Sequence, residues 1–297
     1  MSDVVIEFTD LIGTKNQFQK RFLKKSLCAL TPQEYQDLSH YLTYLRSRSS
    51  LVSIAEAYLQ IVDDFVREQG YFREHGRYRF SSFEQVKNIA YFNPQYMERY
   101  MRGLAITTFL WPNRLQMFRW FVERLPKSRA GRYLEIGPGH GYFFMNAMKL
   151  CSFDRYEALD ISPTSVENTL SIIQSGLFGR YDQYEIKTAD ILSFSDGPFD
   201  AVVAGEVLEH IEDPLSFLRK IASIATRTSF IYLSTAINSP AVDHIYLFPS
   251  PESVAHLISE AGFRIRSQLL LPYYGWTPEN CLKNRLTINV AYQLELP

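Results

Sequence analysis

Hydrophobic and polar positions change their spacing near residue 129 of this 297-residue chain. Before that point apolar residues recur at the spacing of amphipathic helices. After it, short apolar runs alternate with amphipathic stretches, which is typical of strands that alternate with helices in a parallel sheet covered on both faces. We therefore predict an α/β fold, with an all-helical N-terminal domain at residues 1–128 and a sheet domain at residues 129–297.

Capping residues and apolar stripes predict a helical domain of four or five elements. Thr31 and Pro32 provide an N-cap and a first-turn proline, and Gly70 is expected to stop a later helix. The apolar stripe of that later helix suits either a homodimer surface or burial within the domain, and both alternatives stay open. The best marked helices run from Thr31 to about Leu45, Leu51 to Glu68, Asn93 to Trp111 and Asn113 to Leu125.

Seven short apolar segments follow and predict seven strands. The last segment alternates Ile288 and Val290 with Thr287 and Asn289, which favours an antiparallel edge. The predicted strands run from Arg132 to Ile136, Arg155 to Leu159, Tyr184 to Lys187, Phe199 to Ala204, Ser229 to Leu233, Arg264 to Leu271 and Leu286 to Leu296.

The first strand ends in the run Glu135-Ile136-Gly137-Pro138-Gly139-His140-Gly141. Alternate glycines let a backbone turn sharply and approach a ligand, and the helix that follows offers free N–H groups. A dinucleotide loop needs its third glycine one position later, where this chain has Tyr142. An acid inside the strand also suits a cationic ligand. His140 matches no motif position and is expected to face solvent or the edge of the ligand.

This run resembles the E-x-G-x-G-x-G motif of class I S-adenosylmethionine-dependent methyltransferases. The resemblance implies a Rossmann-like, seven-stranded, mostly parallel sheet with a reversed final hairpin, and S-adenosyl-L-methionine as cofactor. Ligands of such sheets lie at the carboxyl ends of the strands, where an acid can accept hydrogen bonds from ribose hydroxyls. The residues implied in cofactor binding are Glu135, Gly137, Gly139, Gly141, Asp160 for the ribose, Asp190 for the adenine amino group, Ile161 and Ile191 as covers of the ring, and Gly205.

Acidic and imidazole side chains follow the fourth and fifth strands. Glu206, Glu209 and His210 would share one face if their segment begins a helix, and His244 follows the neighbouring strand. Two carboxylates and two imidazoles suit a divalent metal such as Mg, Mn, Fe or Zn. The grouping resembles the E-x-x-E-H and distant His of small-RNA 2′-O-methyltransferases and, in its first part, ubiquinone-pathway O-methyltransferases. The preferred function is therefore metal-assisted O-methylation of a small molecule.

Two other interpretations use the same residues. His210 or His244, with Glu206, can serve without metal as a base or substrate contact for an oxygen, nitrogen or carbon acceptor. The chain can also be an inactive methyltransferase-fold partner subunit. A (D/N/S)-P-P-(Y/F) signature, typical of amino methylation of bases, does not follow strand four.

Composition narrows the partners and the compartment. Lys and Arg number 31 against 32 Asp and Glu, a net charge of -1 that disfavours nucleic acid as a partner. Cys28, Cys151 and Cys281 lie far apart, which fits a reducing compartment. With no charged leader and no apolar run of about 18 residues, the expected location is the cytoplasm.

The last helical segment before the sheet, Tyr91 to Leu125, is rich in aromatic residues. Most of these are expected to be core. As a group they are expected to cover the carboxyl ends of the strands as a lid or pocket wall, because a preceding domain can close the site there.

Overall fold

A computed structural model describes residues 3–297 of the chain. Within that range seven helices precede the sheet, more than the four or five expected. Residues 4–28 form two helices because Asn16 is extended and its side chain caps the second. The helices are α1 (Val4–Lys15), α2 (Gln17–Cys28), α3 (Pro32–Arg48), α4 (Leu51–His75), the four-residue α5 (Phe83–Val86), α6 (Pro94–Leu110) and α7 (Pro112–Arg124).

Helix α4 continues past Gly70, so the predicted stop at this residue is wrong. A glycine inside a helix costs only about 1 kcal/mol relative to alanine, which the packing of a long amphipathic helix outweighs. The helix ends at Gly76, which adopts the left-handed conformation with φ of 70°. The capping box of α3 is confirmed, with the Thr31 hydroxyl and the Glu34 side chain each bonded to the other residue's backbone.

The sheet has seven strands in the order β3-β2-β1-β4-β5-β7-β6. The first five strands pair in parallel, and β7 is antiparallel to both β5 and β6, which confirms the predicted mostly parallel sheet. The strands are β1 (Arg132–Ile136), β2 (Arg155–Asp160), β3 (Tyr184–Thr188), β4 (Phe199–Gly205), β5 (Ala225–Ile237), β6 (Arg264–Pro272) and β7 (Ile288–Glu295).

Five further helices accompany the strands. Four of them begin at prolines preceded by capping side chains, including Ser162, Asp213 and Ser250. The helices are α8 (Tyr142–Leu150), α9 (Pro163–Gln174), α10 (Pro214–Ile224), α11 (Pro251–Glu260) and α12 (Pro278–Lys283).

Strand β7 does not lie at the edge of the sheet as its alternation suggested. It is inserted between β5 and β6, and β6 forms the edge. Ala291 is buried and Asn289 and Gln293 are half-buried, so both faces of β7 are covered despite its polar positions. The reversed hairpin causes this arrangement, because its second strand pairs with the parallel sheet.

The helices α1–α7, which together are called the helical half, share one apolar core with the sheet. Phe121 of α7 packs edge-on against Tyr232 of β5, with ring centroids 5.0 Å apart, and Trp120 lies 5.8 Å from the same ring. One cluster of buried residues includes both Val5 of α1 and Tyr232 of β5. The division into two domains at residue 128 stays a prediction. Among residues 3–297, no helix has the length and apolarity required to cross a membrane.

Candidate active site

A cavity lies at the carboxyl ends of the central strands. Its floor contains the loops after β1, β2 and β4, and its opposite wall comes from the helices that precede the sheet. Tyr91 and the α6 residues Met97, Tyr100 and Met101 belong to that wall, as do Arg114 and Met117 of α7. The structure therefore places the part of the aromatic segment from Tyr91 to Met117 at the cavity, as the sequence predicted. The end of α7 instead packs on the sheet, with Phe121 against Tyr232.

The glycine loop after β1 has the backbone that its sequence requires. Gly137, Gly139 and Gly141 have φ values of 68°, 51° and 76°, a region that favours glycine. A Cβ at Gly137 would come within 2.8 Å of Val207 Cγ2. At Gly139 the nearest side-chain atom would be Met101 Sδ at 3.8 Å, so the loop leaves its cavity side accessible to a ligand.

Glu135 lies at the base of this loop and is 3% exposed. The Tyr133 hydroxyl donates a hydrogen bond to its Oε2 at 2.6 Å. Burial nevertheless raises the pKa of Glu135 to about 8. A cationic ligand in the cavity would favour the ionised carboxylate, because an opposite charge stabilises it.

Two further acids follow β2 and β3. Asp160 Oδ1 accepts the Ser162 N–H at 2.9 Å, and burial raises the pKa of Asp160 to about 6. Asp190 Oδ1 accepts the Leu192 N–H at 2.9 Å. Both acids line the cavity together with Ile161 and Ile191, so the structure brings the four predicted residues to one place.

The segment after β4 is not the helix that would place Glu206 beside Glu209 and His210. Glu206 has a φ of 55°, and its N–H donates to Ser234 O at 3.0 Å, which ties it to the neighbouring strand. Only Leu208–His210 form a single 3-10 turn. The Ser234 hydroxyl donates to Glu206 Oε1 at 3.1 Å, while burial and the Glu209 carboxylate raise the pKa of Glu206 to about 7.

Glu209, His210 and His244 form a tight group whose ligand atoms all lie within 4.8 Å of one another. Glu206, the fourth residue of the predicted metal set, is not part of this group. Thr235 donates to Glu209 Oε2 at 2.6 Å, whereas the buried Glu209 Oε1 has no hydrogen-bond partner among residues 3–297. An unpartnered buried carboxylate oxygen is costly, and this one fits a cation or a hydrogen-bond donor as its partner.

Backbone carbonyls orient both imidazoles of this group. His244 Nδ1 lies 2.5 Å from Ser239 O, and His210 Nδ1 lies 3.0 Å from Asp243 O. A carbonyl only accepts, so we assign the proton of each ring to Nδ1, which leaves the Nε2 lone pairs available. Burial and the charge of His210 lower the pKa of His244 to about 4.

The pKa of His210 shifts in the opposite direction to that of His244. Burial works against its charged form, but the Asp243 and Glu209 carboxylates outweigh that effect and raise its pKa. One side of the cavity thus collects two imidazoles and several acids, a set that can hold a cation or accept a proton.

Comparison with known proteins identifies the family. A family model described as a methyltransferase domain matches residues 111–268. The chain belongs to this family. It is a class I methyltransferase that depends on S-adenosylmethionine.

The methyltransferase is also similar to individual proteins. The ubiquinone biosynthesis O-methyltransferase of Xanthomonas axonopodis pv. citri (strain 306) is 25% identical over 196 residues, which cover 59% of this chain and 80% of that protein. Mycolic acid cyclopropane synthase CmaA1, solved with SAH and CTAB, has a TM-score of 0.51 at 13% identity, covering 61% of this chain and 84% of its own. The cyclopropane synthase MmaA2 from Mycobacterium tuberculosis has a TM-score of 0.50 at 13% identity, and the match covers 63% of this chain and 85% of that one. The two structures show a shared fold alone.

Three cavity residues of the methyltransferase were not predicted as site residues. Arg114 favours ionisation of both Glu206 and Glu209, and Tyr91 contacts His210. His140 turns toward the helical wall, with Nε2 3.2 Å from Thr108 Oγ1, and burial lowers its pKa to about 3. Arg114 lies in α7 and Tyr91 in the turn between α5 and α6, and neither belongs to a motif, so only the aromatic character of their segment pointed toward the cavity.

Proposed function

We propose that this methyltransferase transfers the methyl group of S-adenosylmethionine to a hydroxyl oxygen of a small molecule, with a divalent metal held by Glu209, His210 and His244. The observation that carries the proposal is the group of three ligand atoms within 4.8 Å of one another, beside the glycine loop in one cavity. The relative named as a ubiquinone biosynthesis O-methyltransferase supports oxygen as the acceptor.

The cofactor would lie along the floor of the cavity. The glycine loop would hold its methionine part, Asp160 would accept hydrogen bonds from the ribose hydroxyls, and Asp190 would accept one from the adenine amino group. Ile161 and Ile191 cover the adenine ring. The Arg114 guanidinium matches the cofactor's carboxylate, because its planar fork binds carboxylates through two hydrogen bonds.

The proposed metal ligands fit a divalent cation on chemical grounds. Glu209 offers an oxygen that has no other partner among the described residues, and both imidazoles have their Nδ1 atoms beside backbone carbonyls. Carbonyls in this position raise the basicity of a ligating imidazole and orient it. Two imidazoles favour Mn, Fe or Zn over Mg. A divalent cation bound there would act as a Lewis acid that lowers the pKa of the substrate hydroxyl.

The chain's own residues supply the remaining steps. The substrate oxygen attacks the methyl carbon, the carbon–sulfur bond breaks, and its electron pair stays on sulfur as S-adenosylhomocysteine forms. The hydroxyl proton passes to Glu206, which lines the cavity and whose raised pKa of about 7 suits a proton acceptor at neutral pH. Met97, Tyr100 and Met101 exclude water from the reacting atoms.

Chelation tests the role of the metal. Purified protein is analysed for metals, dialysed exhaustively against a chelator, and assayed for methyl transfer from radiolabelled S-adenosylmethionine to a panel of phenols and aliphatic alcohols. We expect the loss of transfer on chelation, its return with Mn²⁺, Fe²⁺ or Zn²⁺, and unchanged binding of S-adenosylhomocysteine.

Metal-free catalysis predicts the opposite result. Transfer that survives exhaustive chelation in protein without detectable metal would overturn the metal proposal and assign proton acceptance to His210 or His244 as a base. Activity would then rise with pH through an imidazole pKa. Transfer only to nitrogen or carbon acceptors would overturn the choice of oxygen, and binding without transfer to any acceptor would favour the inactive partner subunit.

A further inference from the structure

Tyr91 belongs to the helical half of the chain but contacts the imidazole of His210. Its hydroxyl lies 2.8 Å from His210 Nδ1, and the two rings are perpendicular with centroids 6.1 Å apart. The same Nδ1 lies 3.0 Å from Asp243 O. Two polar neighbours at one nitrogen restrict rotation of the ring, and His210 lies with Glu209 and His244 in one group of potential ligands.

The segment around Tyr91 is attached to two different loops of the sheet. The Ser162 hydroxyl, which follows Asp160, donates to Tyr91 O at 3.0 Å. The Phe83 N–H donates to Glu212, which follows His210 in the chain. The segment around Tyr91 therefore connects the loop that contains Asp160 with the loop that contains Glu209 and His210.

We propose that Tyr91 is a positioning residue that holds His210 in the orientation needed for methyl transfer, so that the helical half completes the active site. The proposal rests on the proposed function, because it assigns His210 a part in the reaction. Loss of the hydroxyl would leave Asp243 O as the remaining hydrogen-bond partner of Nδ1. Loss of such an outer partner of a ligating His typically costs 10- to 100-fold in metal affinity or activity.

The test compares Tyr91→Phe with Tyr96→Phe. The Tyr96 hydroxyl is buried and has no hydrogen-bond partner among residues 3–297. Tyr96→Phe is therefore the control, because it removes the same phenol oxygen without removing a hydrogen bond. Four quantities are measured for each variant and the wild type: the thermal midpoint, the Kd for S-adenosylhomocysteine, the Kd for Mn²⁺, and kcat with KM for an acceptor from the panel. The ring nitrogen resonances of His210 in metal-free protein are a fifth readout.

We expect Tyr91→Phe to weaken Mn²⁺ binding and lower kcat by about 10- to 100-fold, with S-adenosylhomocysteine affinity within about twofold of wild type. The His210 Nδ1 resonance should shift in Tyr91→Phe and stay unchanged in Tyr96→Phe. A purely structural role would lower the thermal midpoint without these changes.

The outcomes separate this proposal from the proposed function. Identical His210 resonances and identical kcat in the two variants would overturn the role of Tyr91 even if the metal requirement holds. If the wild type binds no Mn²⁺ and resists chelation, the metal proposal fails. A shifted Nδ1 resonance together with a lower kcat would still support Tyr91 as the residue that orients His210.

Discussion

The imidazoles of His210 and His244 lie almost perpendicular, at 87°, with ring centroids 4.7 Å apart. One follows β4 and the other follows β5, so parallel pairing of these strands brings the two rings together. Two imidazoles at this distance in a buried site need a shared partner or a neutral state, because two charged rings would repel each other.

Removal of single members of this group tests their part in the reaction. We expect Glu209→Ala and His244→Ala each to lower kcat by about two orders of magnitude or more, since each removes a ligand of the proposed metal. S-adenosylhomocysteine affinity, measured by calorimetry, should stay within about twofold of wild type. His256→Ala is the control because its side chain is 79% exposed. Wild-type kcat in both site variants would contradict the assignment.

The buried Glu135 predicts a pH dependence of stability. Its pKa in the folded protein is about 8, against an ordinary value of 4.5. Between these values the unfolded chain loses the proton while the folded protein keeps it, so the free energy of unfolding falls as pH rises, with a limiting slope of about 1.4 kcal/mol per pH unit from this group.

Glu135→Gln should remove that part of the pH dependence. The measurement is urea unfolding of the cofactor-free protein between pH 5 and pH 8. Glu74→Gln is the control because the Glu74 side chain is 78% exposed. The same pH dependence in Glu135→Gln and wild type would show that Glu135 is already ionised in the folded state.

Gly137 is expected to be essential for cofactor binding. Its φ of 68° disfavours other residues, and an added Cβ would come within 2.8 Å of Val207 Cγ2. Gly137→Ala should therefore weaken S-adenosylhomocysteine binding at least about tenfold, which corresponds to about 1.4 kcal/mol. Gly70→Ala is the matched control, because a Cβ there meets no atom within 4 Å and the residue is helical. Equal S-adenosylhomocysteine affinity in both variants would contradict the expectation that Gly137 is needed for cofactor binding.

A protein that begins near Ser128 is expected to lose transfer activity. It lacks Tyr91, Arg114 and the methionine wall of the cavity, and it exposes Tyr232 where Phe121 covers it. Near-ultraviolet circular dichroism and S-adenosylhomocysteine binding would separate failed folding from an open site. A well-folded truncated protein that transfers methyl groups at the full rate would refute the role of the helical half as a cover.

Features carried by neighbouring residues could be predicted from the sequence alone. The glycine loop was predictable because the strand, the turn and the following helix are contiguous from Arg132 to Leu150 and obey local rules of backbone conformation. The mostly parallel sheet with its reversed final hairpin followed from the resemblance, and Asp160 followed from its place at a strand end. Local signals also predicted α6, from Pro94 to Leu110, within one residue at each end.

Only the tertiary structure decided which distant side chains meet. Glu206 left the expected face because its N–H pairs with Ser234 of the neighbouring strand, a contact that helical spacing cannot represent. The inserted β7 and the placement of Tyr91 and Arg114 depend on how the helices and the hairpin bury apolar surface against the sheet. Such burial is non-directional and involves residues far apart in the chain, so no local pattern records which polar atoms it brings within hydrogen-bonding distance.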